Sequence, residues 1–309
     1  MALASAASAR RAAAMATLLV LAGASAATAQ APQTDIYLAD LLTGAEGWSV
    51  ILAPVNVTNR PDFYDNQPFF TPDGRSLLYT AAYDDGNDGQ TDIHRLYLQG
   101  LRDTRITRTE DMSEYSPTPV PGDRAITVVR VEPDSTQRLW RMSMEGMDAE
   151  PLFPRLMPVG YHAWGDEDFV IMFVLGQPPA LVGGDPRTGK VDTLATGIGR
   201  SMHRIPDQRA LSYTQRTESG ESWIMRLDMD TRSSSRLVRA LDDGDFHAWT
   251  PRGTILMASG SRIYEWNPRL ADDWHLIADF TSMGLSFSRI AVSPDGARVA
   301  LVAARVDEG

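Results

Sequence analysis

Short apolar runs alternate along this chain with polar, turn-forming segments at a nearly constant spacing. The turns recur about every 44 residues, and the runs that follow them are too short for helices and rich in β-branched, aromatic and aliphatic residues. The pattern therefore predicts six repeats of a unit made of strands. The six turns are Pro72-Asp73-Gly74, Pro121-Gly122-Asp123, Gly165-Asp166, Pro206-Asp207, Pro251-Arg252-Gly253 and Pro294-Asp295-Gly296.

Each unit has room for four strands. One strand precedes the turn and one follows it, as at 125–131 after the second turn. An alternating segment such as 222–227 and a closing segment such as 235–238 come next. Four strands per unit of about 44 residues is the blade size of a β-propeller. We predict an all-β, six-bladed propeller of four-stranded antiparallel blades.

The two ends of the chain predict how the propeller closes. The sixth unit stops after its second strand, near Arg305. Residues 34–40 match the third-strand pattern, and 55–58 match the fourth. The N-terminal segment 34–58 is thus expected to complete the last blade, two strands on two, which pairs otherwise open strand edges. Residues 30–309 are predicted to form one propeller domain.

Two of the turns carry a family signature. The segments 70–75 (Phe-Thr-Pro-Asp-Gly-Arg) and 292–297 (Val-Ser-Pro-Asp-Gly-Ala) resemble the Trp-Ser-Pro-Asp-Gly-Lys pattern of the TolB-like propeller repeat family. The resemblance spans about residues 34 to 305 and implies a binding role in the cell envelope. TolB carries an α/β domain ahead of its propeller, and the resemblance does not extend to that domain.

The N-terminus predicts export. Residues 1–29 contain Arg10 and Arg11, no acidic residue, an apolar core and the small-residue site Ala27-Thr28-Ala29, which is typical of a signal peptide. The apolar core is too short for a permanent anchor, and no later stretch reaches spanning length. We expect a periplasmic or secreted protein without a transmembrane anchor after cleavage.

Composition narrows the classes of partner. The chain has no cysteine, so disulfides are excluded and stability must come from packing and closure. Its formal charge is −11, and residues 1–29 contribute two of its arginines. This acidic balance argues against nucleic acid as a partner.

Candidate binding residues come from aligning the strands that precede the turns, because the innermost strand of a propeller blade lines the central channel. His162 and His247 occupy the position four residues before the turn in the third and fifth units, and His203 lies one place later in the fourth. Other polar residues near the same level complete a predicted ring at the channel mouth. They are Gln67, Tyr115, Arg200, Asp245 and Arg289.

Two interpretations of this ring remain open. Imidazole and carboxamide groups from different blades could bind a small anion, a sugar acid or a divalent metal, with His162 and His247 as metal ligands. Related propellers include a metal-dependent lyase of uronic acid oligomers with histidines and a glutamine around the ion, which Gln67, His162 and His247 resemble. The favoured interpretation is structural: the histidines pack against Trp164 and Trp249 or hydrogen-bond near the channel, a role that repeats in sister blades.

No motif for nucleophilic or nucleotide chemistry accompanies the repeats. The chain lacks a Gly-x-Ser-x-Gly elbow, a phosphate-binding loop and a Gly-x-Gly-x-x-Gly segment. We therefore predict a non-catalytic platform, without a cofactor, for a protein or peptide partner in the envelope. The alternative is a metal- or sugar-acid-binding propeller, either an enzyme like the uronate lyases or a small-ligand receptor.

Overall fold

The computed structural model describes residues 33–82, 90–242 and 244–306, so the predicted signal peptide at 1–29 lies outside the described residues. The described residues belong to one compact unit, Ala31–Gly309. Six antiparallel sheets form an all-β propeller, as predicted. No helix in the described part of the chain is long and apolar enough to cross a membrane.

Twenty-five strands, named in chain order, build the propeller within the described ranges. The first three strands are β1 (Asp35–Thr43), β2 (Ser49–Ile51) and β3 (Val55–Asn56). Blade 1 contains β4 (Asp65–Phe70), β5 (Ser76–Ala82), β6 (Thr91–Tyr97) and β7 (Arg102–Arg105). Blade 2 contains β8 (Ser113–Pro119), β9 (Ala125–Val131), β10 (Gln137–Ser143) and β11 (Glu150–Pro151). Blade 3 contains β12 (Val159–Asp166), β13 (Phe169–Val174), β14 (Ala180–Asp185) and β15 (Lys190–Thr196).

Blade 4 contains β16 (Ile198–Arg204), β17 (Ala210–Arg216), β18 (Ser222–Asp228) and β19 (Ser234–Arg239). Blade 5 contains β20 (His247–Trp249), β21 (Ile255–Ser259), β22 (Arg262–Trp266) and β23 (His275–Asp279). A single 3₁₀ turn, Thr281–Met283, precedes β24 (Leu285–Val292) and β25 (Arg298–Arg305). These last two strands belong to blade 6, which β1, β2 and β3 complete.

The first strand of each blade forms the inner ring. Each of these strands contacts the first strand of the next blade, and β24 contacts β4 to close the circle. Each also lies at one edge of its sheet. The ring surrounds the central channel, with β12 of blade 3 opposite β24 of blade 6. Its members are β4, β8, β12, β16, β20 and β24.

Blade 6 closes two strands on two, which confirms the prediction. Strand β1 pairs with β25 from Asp35↔Ala303 to Asp40↔Arg298. The outer strand differs from the predicted 55–58, because β1 is long enough to pair with β3 near its start and with β2 at its end. Thr58 lies beyond β3 and donates its hydroxyl to Asp35 at 3.0 Å.

A buried carboxylate ties the closing segment to blade 5. Glu265 is fully buried and accepts hydrogen bonds from the backbone N–H of Ser49 at 2.6 Å and the hydroxyl of Thr254 at 2.6 Å. Arg252 approaches the same carboxylate at 3.2 Å. Buried charges need such partners, so this contact holds β2 against its neighbour.

The Pro-Asp-Gly turns have a shared hydrogen-bond pattern. Asp73 accepts from the Thr71 hydroxyl at 2.6 Å and from the backbone N–H of Arg75 at 3.0 Å. Asp295 repeats both bonds with Ser293 and Ala297 at the same distances. The hydroxyl bond is the main cause that lowers the pKa of both carboxyls. The signature thus encodes a turn that its own Asp side chain stabilises and that connects the inner strand to the next strand of the blade.

Candidate functional site

Each inner strand brings side chains from consecutive positions before its turn to the channel. We count back from the first residue of each turn, with Asp166 in that place in blade 3. On every inner strand, the residues three, four and five before the turn all line the channel. The residues four before the turn are all buried: Pro68, Pro117, His162, Met202, His247 and Ile290.

A bulge lies near the start of five inner strands. The register of β4 shifts between Asn66 and Phe69, and that of β8 shifts between Tyr115 and Thr118; β12, β16 and β24 have similar shifts. Gln67 and Ser116, inside two of these bulges, both have φ of 55°. Bulges turn a side chain away from its regular direction, and here they mark the level of the candidate ring.

His247 joins blades 4 and 5. It is fully buried, and its Nδ1 and Nε2 lie 2.9 Å and 2.7 Å from the hydroxyls of Ser201 and Ser212. Trp249 donates its indole N–H to the same Ser212 hydroxyl at 2.8 Å. Both ring nitrogens therefore have protein partners.

His162 repeats this arrangement between blades 2 and 3. Its Nε2 lies 2.7 Å from the hydroxyl of Thr127, which also accepts the indole N–H of Trp164 at 2.9 Å. The Nδ1 atom is buried without a partner among the described residues. The two His-x-Trp pairs thus form equivalent contacts between blades. No group of three or more His, Cys, Asp or Glu side chains within the described ranges is arranged to hold a metal.

These histidines should make stability depend on pH. Burial lowers the pKa of His162 to about 3 and that of His247 well below the ordinary 6.5. Below pH 6.5 these histidines are protonated in the unfolded chain but stay neutral in the folded protein. The free energy of unfolding is therefore highest above pH 6.5 and falls as the pH decreases below it. We expect up to about 1.4 kcal/mol per pH unit from each histidine. Urea unfolding at pH values between about 7 and 5 tests this expectation. If the free energy of unfolding of His162→Gln changed with pH as steeply as that of the unaltered protein, the expectation would be contradicted.

Arg289 crosses the channel from blade 6. Its Nη2 donates to the hydroxyl of Tyr161 on the opposite blade 3 at 3.1 Å, and its guanidinium lies 3.6 Å from the ring centroid of Phe246 in blade 5. Burial lowers the pKa of Arg289. Within the described ranges, no carboxylate lies within ion-pair distance of this arginine. The channel therefore holds a desolvated cation that lacks a counter-ion from the described protein.

Arg200 and three tyrosines surround the end of the channel away from the turns. Arg200 pairs with Asp245 at 3.2 Å, and both side chains are more than half exposed. Tyr64 and Tyr115 line the cavity here together with Tyr161. Burial raises the pKa of Tyr64, which keeps its hydroxyl protonated as a hydrogen-bond donor.

The channel contains two cavities. The turn-side cavity, of about 490 Å³, reaches the face that carries the Pro-Asp-Gly turns. The mouth-side cavity, of about 810 Å³, opens beside Tyr64 and Tyr115. Three side chains line both: Gln67, Tyr161 and Arg200.

The structure brings the predicted residues together only in part. Gln67, Arg200, His203 and Arg289 line the turn-side cavity, and Tyr115 lines the mouth-side one. Asp245 lies beside a third cavity next to Arg200. Although His162 and His247 also border the turn-side cavity, their nitrogens bond between blades. The oxygen of Gln67 accepts from Thr80 and from the backbone N–H of Ser116.

Four further channel residues were missed from the sequence: Tyr64, Tyr161, Arg204 and Phe246. Tyr161 and Phe246 each lie one residue before a histidine of the aligned column. Their position beside the aligned histidines could have identified them as residues of the same channel level. The contact between Arg289 and Tyr161 joins opposite blades, so no local pattern encodes it.

Comparison with known proteins supports the fold. No protein-family model and no curated protein matches the chain. A structure described as TolB from Agrobacterium tumefaciens superposes with a TM-score of 0.66 at 15% identity, over 88% of this chain and 98% of that one. TolB from Acinetobacter baumannii gives 0.56 at 15% identity, over 88% of this chain and 64% of that one. The chain is thus structurally similar to TolB β-propellers.

A second kind of protein shares the fold. An oligogalacturonate lyase from Vibrio parahaemolyticus superposes with a TM-score of 0.51 at 11% identity, over 90% of this chain and 99% of that one. At such identities the similarity concerns the fold alone.

Proposed function

We propose that this TolB-like propeller is an exported, non-catalytic binding platform whose channel receives an anionic group of a protein or peptide partner in the cell envelope. One observation carries the proposal. Among the described residues, the charged side chains that line the two channel cavities are Arg200, Arg204 and Arg289, without a carboxylate, although the chain has a net charge of −11. An arginine surface inside an acidic protein favours an anionic ligand over a cationic one.

Arg289 supplies the strongest attraction. Its stacking on Phe246 and its bond to Tyr161 orient the guanidinium before any ligand arrives. Planar guanidinium groups match carboxylates in two-point hydrogen bonds. A ligand carboxylate would relieve the desolvation that lowers the pKa of Arg289.

The alternative is a metal- or sugar-acid-binding propeller, either an enzyme like the oligogalacturonate lyases or a small-ligand receptor; one similar structure is an oligogalacturonate lyase in complex with manganese. In that case Gln67, His162 and His247 would bind the metal. Their hydrogen bonds to neighbouring blades compete with that role, so we rank this function second.

We expect Arg289→Met to weaken partner binding about 10- to 100-fold, because a hydrogen bond to a charged group contributes about 1.5–3 kcal/mol. A photo-crosslinking residue at Phe69, which is 40% exposed and lines the turn-side cavity, should capture a discrete envelope protein in intact cells. Arg155→Met removes an equal charge from an exposed site and should leave capture unchanged.

Two results of this experiment would contradict the proposal. One is the absence of an adduct at position 69 in exported protein. The other is an adduct whose yield Arg289→Met and Arg155→Met change equally. A crosslinker at the exposed Met147 on blade 2 controls for non-specific capture.

A further inference from the structure

The walls of the turn-side cavity are mainly apolar. Three residues before the turn, four inner strands carry small side chains that line this cavity. They are Thr118, Ala163, Ala248 and Ala291. Phe69 and His203 occupy the same level on the opposite blades 1 and 4. Phe69 is 40% exposed and lines the same cavity.

Apart from the exposed Arg204, the outer rim of this cavity is mainly apolar. Trp164 and Trp249 line it, and each has its only polar atom bonded to a hydroxyl of the preceding blade. Both indole N–H groups are therefore satisfied within the protein. Proline side chains complete the rim: Pro119, Pro206, Pro251 and Pro294.

The base of the cavity is cationic. Arg289 spans the channel there, bonded to Tyr161 and stacked on Phe246. His203 lies beside it, and the positive charge of Arg289 contributes, after burial, to lowering the pKa of His203 to about 4. A carboxylate at this level would be close to one fixed cation and one imidazole.

We infer that the turn-side cavity binds an amphipathic carboxylic acid, with its carboxylate on Arg289 and its aromatic or aliphatic body between Phe69 and the small residues of blades 3, 5 and 6. This inference rests on the anionic ligand of the proposed function and specifies its chemical class, which a peptide C-terminus or a free acid can supply. A volume of about 490 Å³ lies in the range of small-molecule pockets. Apolar walls around a few oriented polar groups are the usual composition of such sites. The acid is either a free small molecule or the apolar C-terminal residue of a peptide.

Calorimetric titration of the purified protein with 3-phenylpropanoate tests the inference. Two probes separate its parts: 3-phenylpropanamide keeps the apolar body without the charge, and acetate keeps the charge without the body. We expect both to bind at least about tenfold more weakly than 3-phenylpropanoate, as expected when a charged contact or an apolar body is lost. Equal affinity of either probe would overturn the inference.

Variants locate the binding. Arg289→Met should reduce 3-phenylpropanoate binding to the level of the amide, and Ala291→Leu should exclude the phenyl group while acetate binding stays unchanged. Arg289→Lys retains the charge if the methionine variant folds poorly, and it should bind more tightly than Arg289→Met. Arg155→Met is the matched control. Binding that survives both channel variants would place the acid elsewhere and overturn the inference.

A pair of peptides separates the two sources of the acid. N-acetyl-Gly-Phe with a free C-terminus should bind, and its C-terminal amide should bind at least about tenfold more weakly. Tighter binding of the peptide acid than of 3-phenylpropanoate assigns the site to a peptide C-terminus, and the reverse order assigns it to a free acid. If the acids fail to bind while crosslinking at position 69 still depends on Arg289, this inference fails and the proposed function stands. If both fail, neither stands.

Discussion

A chain that begins at residue 59 is expected not to fold. It lacks β1, β2 and β3, so β25 would lose its partner β1 and become an unpaired edge strand. The missing segment also buries large side chains, among them Ile36, Tyr37, Leu41 and Ile51. At about 1.5–3 kcal/mol for each buried apolar side chain, these four contribute roughly 6–12 kcal/mol. That is comparable with the whole stability of a typical domain, about 5–15 kcal/mol.

The measurement compares this chain with one that begins at residue 33 and retains the closing strands. We expect the longer chain to show cooperative thermal unfolding by circular dichroism and to elute as a compact species. The shorter chain should aggregate or lack a cooperative transition, because open edges template association. A cooperative transition of the shorter chain at a similar temperature would show that blades 1 to 5 are stable without closure.

The second large effect is expected from His247→Ala. The substitution leaves a cavity between blades 4 and 5 and removes two hydrogen bonds, to Ser201 and Ser212. We expect the free energy of unfolding to fall by about 3 kcal/mol. His162→Ala should cost less, about 2 kcal/mol, because His162 bonds through only one ring nitrogen to the described residues.

Urea unfolding measures these differences, and metal analysis of the same samples tests the alternative function. His275→Ala is the control, because His275 is exposed. It loses a ring stack on Trp48, at a centroid distance of 4.4 Å, and we expect the free energy of unfolding to fall by less than about 0.5 kcal/mol. Stoichiometric metal in the unaltered protein that disappears in a folded His162→Ala, His247→Ala variant would contradict the structural role and favour a metal site.

Repeat sequences made the propeller predictable to the level of single strands. The turns at Pro72 and Pro294 are self-capped by neighbouring Asp and hydroxyl side chains, a local interaction that any copy of the motif forms. Blade 2 shows the limit of this approach. Its outer strand β11 has only two residues, Glu150 and Pro151, too few to produce a recognisable alternation.

The candidate site was less predictable, because it depends on the orientation of side chains and on contacts between residues far apart in the chain. Alignment placed His162 and His247 correctly on inner strands, yet the side chains there point toward adjacent blades, where hydroxyls from the preceding blades bond to them. Arg289 was identified by its level in the ring. Its contact with Tyr161 depends on the width of the channel, which follows from the number of blades and their closure.

The sequence alone predicted the six turns, the inner strands and the closure of the last blade by an N-terminal segment, because each depends on local periodicity and on pairing between segments with matching patterns. The bulges at Gln67 and Ser116 are visible only in the folded chain, because a register shift leaves no signal in the local periodicity. The contact of Arg289 with Tyr161 across the ring likewise depends on the fold. This contact joins residues far apart in the chain, and only the closed circle of blades brings them within hydrogen-bonding distance.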